Sequence, residues 1–217
     1  MKRVLDFIVA LVALVVLAPV LAIVALAVRF DSPGPIIFKQ ERIGRGGERF
    51  KMHKFRTMRD DAPHDVPTHL LTSAHSHVTA VGRVLRKLSL DELPQLVNIL
   101  KGEMSFVGPR PALWNQADLI GEREKYGAND VRPGLTGWAQ INGRDELDIS
   151  EKARLDGYYV EHRSLWLDLK CVIGTVLPVV RGSGVVEGVS KTADGMVGAV
   201  EHAGHDVDPA AKVGCES

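Results

Sequence analysis

Two adjacent carboxylates, Asp91 and Glu92, stand in Ser89-Leu90-Asp91-Glu92-Leu93-Pro94-Gln95-Leu96, at the junction of two apolar, helix-like stretches. A carboxylate oxygen can attack phosphorus, as in aspartyl-phosphate chemistry. A neighbouring acid can hold Mg2+ through one or two oxygens while substrate phosphates complete the shell. The same residues also fit a structural role. Ser89-x-x-Glu92 matches a capping box, and acids in a first helical turn are favoured by the helix dipole. With Ser89 as the N-cap, Pro94 would fall where a backbone N–H is already needed. A helix start nearer Asp91 accommodates it better. Spacing alone leaves cap and phosphoryl-transfer site as open alternatives.

Two rigid loops carry cations suited to phosphate. In Ser105-Phe106-Val107-Gly108-Pro109-Arg110-Pro111, two prolines stiffen the backbone around Arg110, so its guanidinium loses little freedom on clamping an anion. Arg132 to Arg144 contains glycines for close backbone approach, Trp138, the amides of Gln140 and Asn142, and an arginine at each end, an inventory that suits a nucleoside diphosphate. Basic residues are also concentrated between Lys39 and Arg59 and between Arg83 and Lys87. The whole chain balances 27 basic against 27 acidic residues, so general attraction to nucleic acid is not indicated. Cys171 and Cys215 are too few and too far apart in sequence for a disulfide framework or a metal site. His75 and His77 lack an evident third ligand and read as part of a solvated loop.

The elements that must position these groups begin with an uncharged apolar run, Phe7 to Val28, interrupted by Pro19. Its length matches the ~20 residues of a bilayer-spanning helix. Pro19 removes a hydrogen bond to the Val15 carbonyl and should kink the helix. Lys2 and Arg3 precede the run, and Arg29, Lys39, Arg42 and Arg45 follow it. Basic residues on both flanks agree best with a re-entrant hairpin that enters and leaves on the cytoplasmic face. A kinked spanning helix is the alternative. A cleaved signal peptide fits poorly, because the run is too long and no polar region precedes Ala25-Leu26-Ala27.

Past the turn cluster Asp31 to Pro35, Ile36–Gln40 and Arg49–Met58 read as a hairpin around Gly44, Gly46 and Gly47. Residues 60–76 read as a loop. Helical patterns cover Val81–Leu88, Leu93–Leu100 (stopped by Gly102), Leu113–Tyr126, Ile149–His162 and Leu165–Val180. Trp166 near the start of the last and Arg181 beyond it also suit a helix lying in the membrane interface. From about Gly182 the composition is that of a disordered tail.

Taken in order, Lys2-Arg3-x-x-Asp6 before the apolar run, Lys54-Phe55-Arg56-Thr57-Met58, Ser89 to Gln95, Ser105 to Pro111 and Arg132 to Arg144 resemble the bacterial sugar transferase family. These are the monotopic polyprenyl-phosphate phosphoglycosyl transferases, here of the short, catalytic-core-only type. Asp156, Tyr159 and Trp166 to Lys170 extend the likeness, which runs from about Lys2 to Val185. The tail beyond Gly188 matches nothing in that pattern.

The resemblance implies an α/β, mostly helical fold. Its parts would be a re-entrant membrane helix-break-helix (1–30, broken at Pro19), a cytoplasmic catalytic domain with a small β-hairpin or sheet (31–182), amphipathic membrane-interface helices, and a tail (183–217). It implies Asp91 as nucleophile, with Glu92, and Asp91 beside it, holding Mg2+ as the cofactor. Phosphate contacts would come from Arg110 and Arg132, then Lys54, Arg56 and Arg144. Thr136, Gln140 and Asn142 would hold the nucleotide, and Lys2 and Arg3 would meet headgroups or the acceptor phosphate. The expected reaction moves a sugar 1-phosphate from a UDP-sugar to polyprenyl (undecaprenyl) phosphate, through an aspartyl-phosphosugar and with release of UMP. It would initiate glycoconjugate assembly at the cytoplasmic face of the bacterial plasma membrane. A glycosyl transferase releasing UDP and a non-enzymatic, membrane-tethered phosphate-binding module are the rival readings. Sugar identity and oligomeric state are not readable.

Overall fold

The computed structural model describes residues 2–59, 77–143 and 147–180. Helix α1 (Lys2–Asp31) is followed by an antiparallel hairpin of β1 (Ile37–Ile43) and β2 (Arg49–Phe55), in register Ile37↔Phe55 to Ile43↔Arg49. Next come α2 (Ala80–Lys87), a 3-10 turn at Leu90–Glu92, α3 (Gln95–Lys101) and β3 (Ser105–Val107). Then follow α4 (Ala117–Glu124), β4 (Gly134–Thr136), the short α5 (Trp138–Ile141), α6 (Ile149–Glu161) and α7 (Leu165–Val180). The architecture is therefore mostly helical with small sheets, as expected. The parallel pair β3–β4, joined Ser105↔Gly134 and Val107↔Thr136, was not anticipated. Its crossover passes through α4, the kind of long connection that parallel strands require.

Helix ends follow local chemistry. Thr79 caps α2 by accepting from the Gly82 N–H at 3.0 Å, and Asp148 caps α6 by accepting from the Glu151 N–H at 2.7 Å. Gly102 ends α3 at φ +88°, a left-handed cap that favours glycine.

Helix α1 continues through Pro19 as one element, although residue 19 has no N–H to donate to Val15. It is long and apolar enough to cross a membrane, and 11% of its most apolar window is buried. One stripe packs inward. Ala10 joins Phe50, Met52, Leu96, Ile99 and Met104, with Leu14 and Leu17 against them. Val24 and Val28 join Phe55 and Leu85, with Leu21 alongside. This spacing of threes and fours is a single helical face running the length of α1. The opposite face, including Val12, Val15, Val16, Ile23 and Leu26, is exposed and apolar. An apolar surface of that extent marks contact with a membrane or a partner. Helix α7 likewise exposes Leu165, Trp166, Leu169, Val172, Ile173 and Val176. Its inner face, Leu167 and Cys171, packs on Val107 and Tyr159.

Polar ties hold the first turns of α1. Lys2 pairs with Asp168 of α7 at 2.6 Å, and Arg3 donates to the Ile99 and Leu100 carbonyls at 2.5 and 2.7 Å. Asp6 is buried; it accepts from Ser105 Oγ at 2.9 Å and from the Phe106 N–H at 3.4 Å. At the other end, Arg56 Nη2 donates to Ser32 O at 2.5 Å and lies 3.4 Å from Val28 O. Both ends of α1 are thus fastened to the same compact unit.

Candidate active site

The acid pair sits on the Leu90–Glu92 turn, which packs on β2 and α2. Ser89, just before it, has φ +54° and ψ +22°, and it is the one non-glycine residue with positive φ among the described residues. A left-handed serine costs on the order of 1–3 kcal/mol and persists only where its surroundings enforce it. The capping-box alternative fails here. Ser89 makes no side-chain cap bond, α3 begins only at Gln95 after Pro94, and Glu92 is turned to other partners.

Those partners are cations. Glu92 Oε1 lies 2.8 Å from Lys54 Nζ of β2 and 3.2 Å from Arg110 Nη2 of the loop after β3. Burial alone would raise the Glu92 carboxyl, but Lys54 and Arg110 outweigh it and hold the group well below the usual carboxylate range. Asp91 is 8% exposed and, among the described residues, its carboxyl accepts no hydrogen bond. Burial pushes Asp91 up, and the neighbouring Glu92 charge adds to this, while Lys54, Arg86 and Arg110 pull it back. One carboxylate is therefore pinned as an anion. The other is desolvated, uncommitted and more basic than an ordinary aspartate, as suits a nucleophile facing a field of cations.

Of the expected site residues, the structure gathers Asp91, Glu92, Lys54 and Arg110. It adds Arg86, whose Nε donates to Thr57 Oγ1 at 2.9 Å. The only sequence signal for Arg86 was its place in the basic stretch ending four residues before Asp91. The other residues have internal bonds. Arg132 Nε donates to Gly102 O at 2.7 Å, completing the C-terminal end of α3. Arg56 is buried against the end of α1, with Nε and Nη1 lacking hydrogen-bond partners among the described residues. Thr136 Oγ1 meets Thr175 Oγ1, Gln140 donates to Leu135 O at 3.0 Å, and Asn142 donates to Trp138 O at 2.8 Å. Lys2 and Arg3 are engaged as described above, and Arg144 lies outside the described residues.

The glycines of the second loop also serve the fold rather than a ligand. A Cβ on Gly134 would fall 2.2 Å from Gly108 N, and one on Gly137 would fall 2.1 Å from Gly108 O. Three backbones meet there, which leaves no room for side chains and holds the Arg110 loop against β4.

A cluster of two carboxylates and three cations on a strained turn is suited to phosphoryl chemistry. Comparison with known proteins decides the family: the sequence profile described as bacterial sugar transferase matches residues 1–182. The chain belongs to the bacterial sugar transferase family. It is 40% identical over 198 residues to an uncharacterized sugar transferase, EpsL, of Bacillus subtilis (strain 168), covering 91% of this chain and 96% of that protein. It is 42% identical over 189 residues to the UDP-glucose:undecaprenyl-phosphate glucose-1-phosphate transferase of Escherichia coli (strain K12), covering 81% and 39% respectively. It is 36% identical over 188 residues to the UDP-N-acetylgalactosamine-undecaprenyl-phosphate N-acetylgalactosaminephosphotransferase of Aeromonas hydrophila, covering 84% and 44%. This sugar transferase therefore spans less than half the length of the latter two relatives, whose donor sugars differ.

Proposed function

We propose that this sugar transferase moves a sugar 1-phosphate from a UDP-sugar to undecaprenyl phosphate in two displacements at Asp91. The single observation that carries this reading is the unequal pair: Glu92 is tied to Lys54 and Arg110, and Asp91 is buried beside the same cations with no side-chain hydrogen bond among the described residues. In the first displacement a carboxylate oxygen of Asp91 attacks the sugar-bearing phosphorus. The bond from that phosphorus to the bridging oxygen breaks, and UMP leaves with the electron pair. In the second, an oxygen of the polyprenyl phosphate attacks the same phosphorus. Asp91 departs as carboxylate, and the product is a polyprenyl diphosphate-sugar. Arg110, Lys54 and Arg86 offset charge on the phosphoryl oxygens and on the leaving group.

The donor set suits Mg2+ shared with a substrate. Among the described residues no group of three His, Cys, Asp or Glu side chains is present. Asp91 and the second oxygen of Glu92 leave two carboxylate donors, and Mg2+ in phosphoryl-transfer sites takes one or two such donors plus substrate phosphates and water. Bound there, the ion would neutralise charge on the donor diphosphate.

The re-entrant reading of α1 is supported by the ties at both of its ends. Lys2, Arg3 and Asp6 at one end, and Val28 and Ser32 at the other, bond to one compact unit. A helix crossing the bilayer would put those ends about 30 Å of hydrocarbon apart. On this reading α1 dips into the cytoplasmic leaflet with its apolar face outward, α7 lies at the interface, and the Asp91 turn meets a lipid-borne acceptor. The test is the nucleotide product: UMP from a UDP-sugar panel with undecaprenyl phosphate supports the reading, and UDP overturns it.

A further inference from the structure

The β1–β2 hairpin carries a second concentration of charge. Lys39 and Glu41 of β1, Arg49, Lys51 and His53 of β2, Lys101 at the end of α3 and Glu103 just beyond it line a cavity of about 390 Å3. Successive side chains on a strand point to opposite faces, so His53 lines this cavity while its neighbour Lys54 reaches Glu92. None of the Asp91 cluster lines it.

Its wall is fixed by one buried amide. Asn98, fully buried on α3, accepts from His53 N and Nδ1 at 3.0 Å each and donates to Lys51 O at 2.8 Å and Glu103 Oε2 at 2.6 Å. Oδ1 only accepts, so Nδ1 of His53 carries the hydrogen, leaving Nε2 for a ligand. Glu103 is held by Asn98 rather than by a lysine, and Glu41 faces Arg49 at 3.5 Å. Lys39, Lys51 and Lys101 have no ion-pair partner among the described residues.

We propose that this cavity binds the phosphate ester of a phosphorylated ligand, at a site separate from the Asp91–Glu92 turn. Three lysines without an ion-pair partner among the described residues line it together with Arg49, outnumbering the carboxylates of Glu41 and Glu103, and lysine binds phosphate as a point charge. The volume falls in the ~300–1,000 Å3 range of small-molecule sites. Two sources offer that group. One is a soluble sugar or nucleotide phosphate. The other is an anionic lipid headgroup, since Lys101 follows the Leu100 carbonyl that anchors Arg3 in the first turn of α1.

Trp114 reports on the cavity, because its ring lies 5.1 Å from the Arg49 guanidinium. With Trp138→Phe and Trp166→Phe, it is the sole tryptophan of the three in the chain. The full chain in detergent is titrated with inorganic pyrophosphate, against chloride at matched ionic strength. In parallel it is placed in nanodiscs of phosphatidylglycerol or of phosphatidylcholine. The expected result is a saturable Trp114 change with pyrophosphate, or with phosphatidylglycerol but not phosphatidylcholine, the responding arm naming the source. Lys39→Gln/Lys51→Gln/Lys101→Gln should weaken it by about tenfold or more, since it removes three of the positive charges that line the cavity. Lys101→Gln alone, at an exposed helix end, should give a partial loss, and Asp91→Asn should leave the response intact. No saturable response in either arm, an equal response to chloride, or undiminished response in a folded triple variant overturns the proposal.

Discussion

The Lys54–Glu92 pair permits a quantitative test of how the acidic turn is held. Both side chains are largely buried, at 17% and 18% exposure, and 2.8 Å apart. A hydrogen bond to a charged group contributes about 1.5–3 kcal/mol net. Arg110, at 3.2 Å from the same oxygen, takes up part of the load when Lys54 is removed. The coupling from a cycle of Lys54→Met, Glu92→Gln and the double variant should therefore be about 1.5–2 kcal/mol. Lys54→Met alone should lower the melting temperature by roughly 3–8 °C, at ~2–4 °C per kcal/mol for a chain of this size. The pH dependence has a definite sign. Glu92 is held low in the folded protein, so its stabilisation is fully present above the unfolded glutamate range, near ~4.3, and fades as pH falls through and below it. Thermal unfolding of the four proteins in one detergent, from pH 8 down to pH 3, measures both quantities. Coupling below ~0.5 kcal/mol at neutral pH, or coupling undiminished at pH 3, would refute this account of the turn.

Asp91→Asn should abolish UMP release and, at neutral pH, raise rather than lower the melting temperature. Burial raises the Asp91 carboxyl, so its ionised form works against folding above that range, and an uncharged isostere removes the penalty; a destabilised variant would contradict this. Excess EDTA should stop turnover and Mg2+ should restore it, whereas unchanged rates in chelator would remove the ion from the reaction. Arg123→Met should cost about 3–5 kcal/mol, because Arg123 and Asp156 form a buried pair at 2.5 Å and 2.8 Å and the orphaned carboxylate would have no water; melting temperature reads the loss.

Much of this fold was legible because its helices carry strong local signals. The apolar period of Leu165–Val180 matches α7 at both ends, and the Gly102 stop falls one residue past α3. The hairpin was visible too, though β1 runs three residues further, to Ile43. The β3–β4 pair escaped because three-residue strands have no period to read, and their register depends on contacts about 30 residues apart. The same non-locality hid the use of Gly134 and Gly137. Their sequence suggested room for a nucleotide, but the backbone they admit is Gly108. At the site, Asp91, Glu92, Lys54 and Arg110 were identifiable from motif and charge. Arg86 was not, because its relevance depends on how α2 packs beside the turn. Lys2 and Arg3 looked like headgroup anchors from sequence, yet they and Asp6 are each tied to a different internal element.

The covalent role proposed for Asp91 can be tested directly. The full chain, given a UDP-sugar labelled in the sugar-bearing phosphate and no acceptor, is quenched in acid and mapped by peptide mass. Stoichiometric label on the peptide containing Asp91, discharged on addition of undecaprenyl phosphate and absent in Asp91→Asn, is the predicted result. Label that stays in solution while product still forms with acceptor, or that settles on another residue, would contradict it.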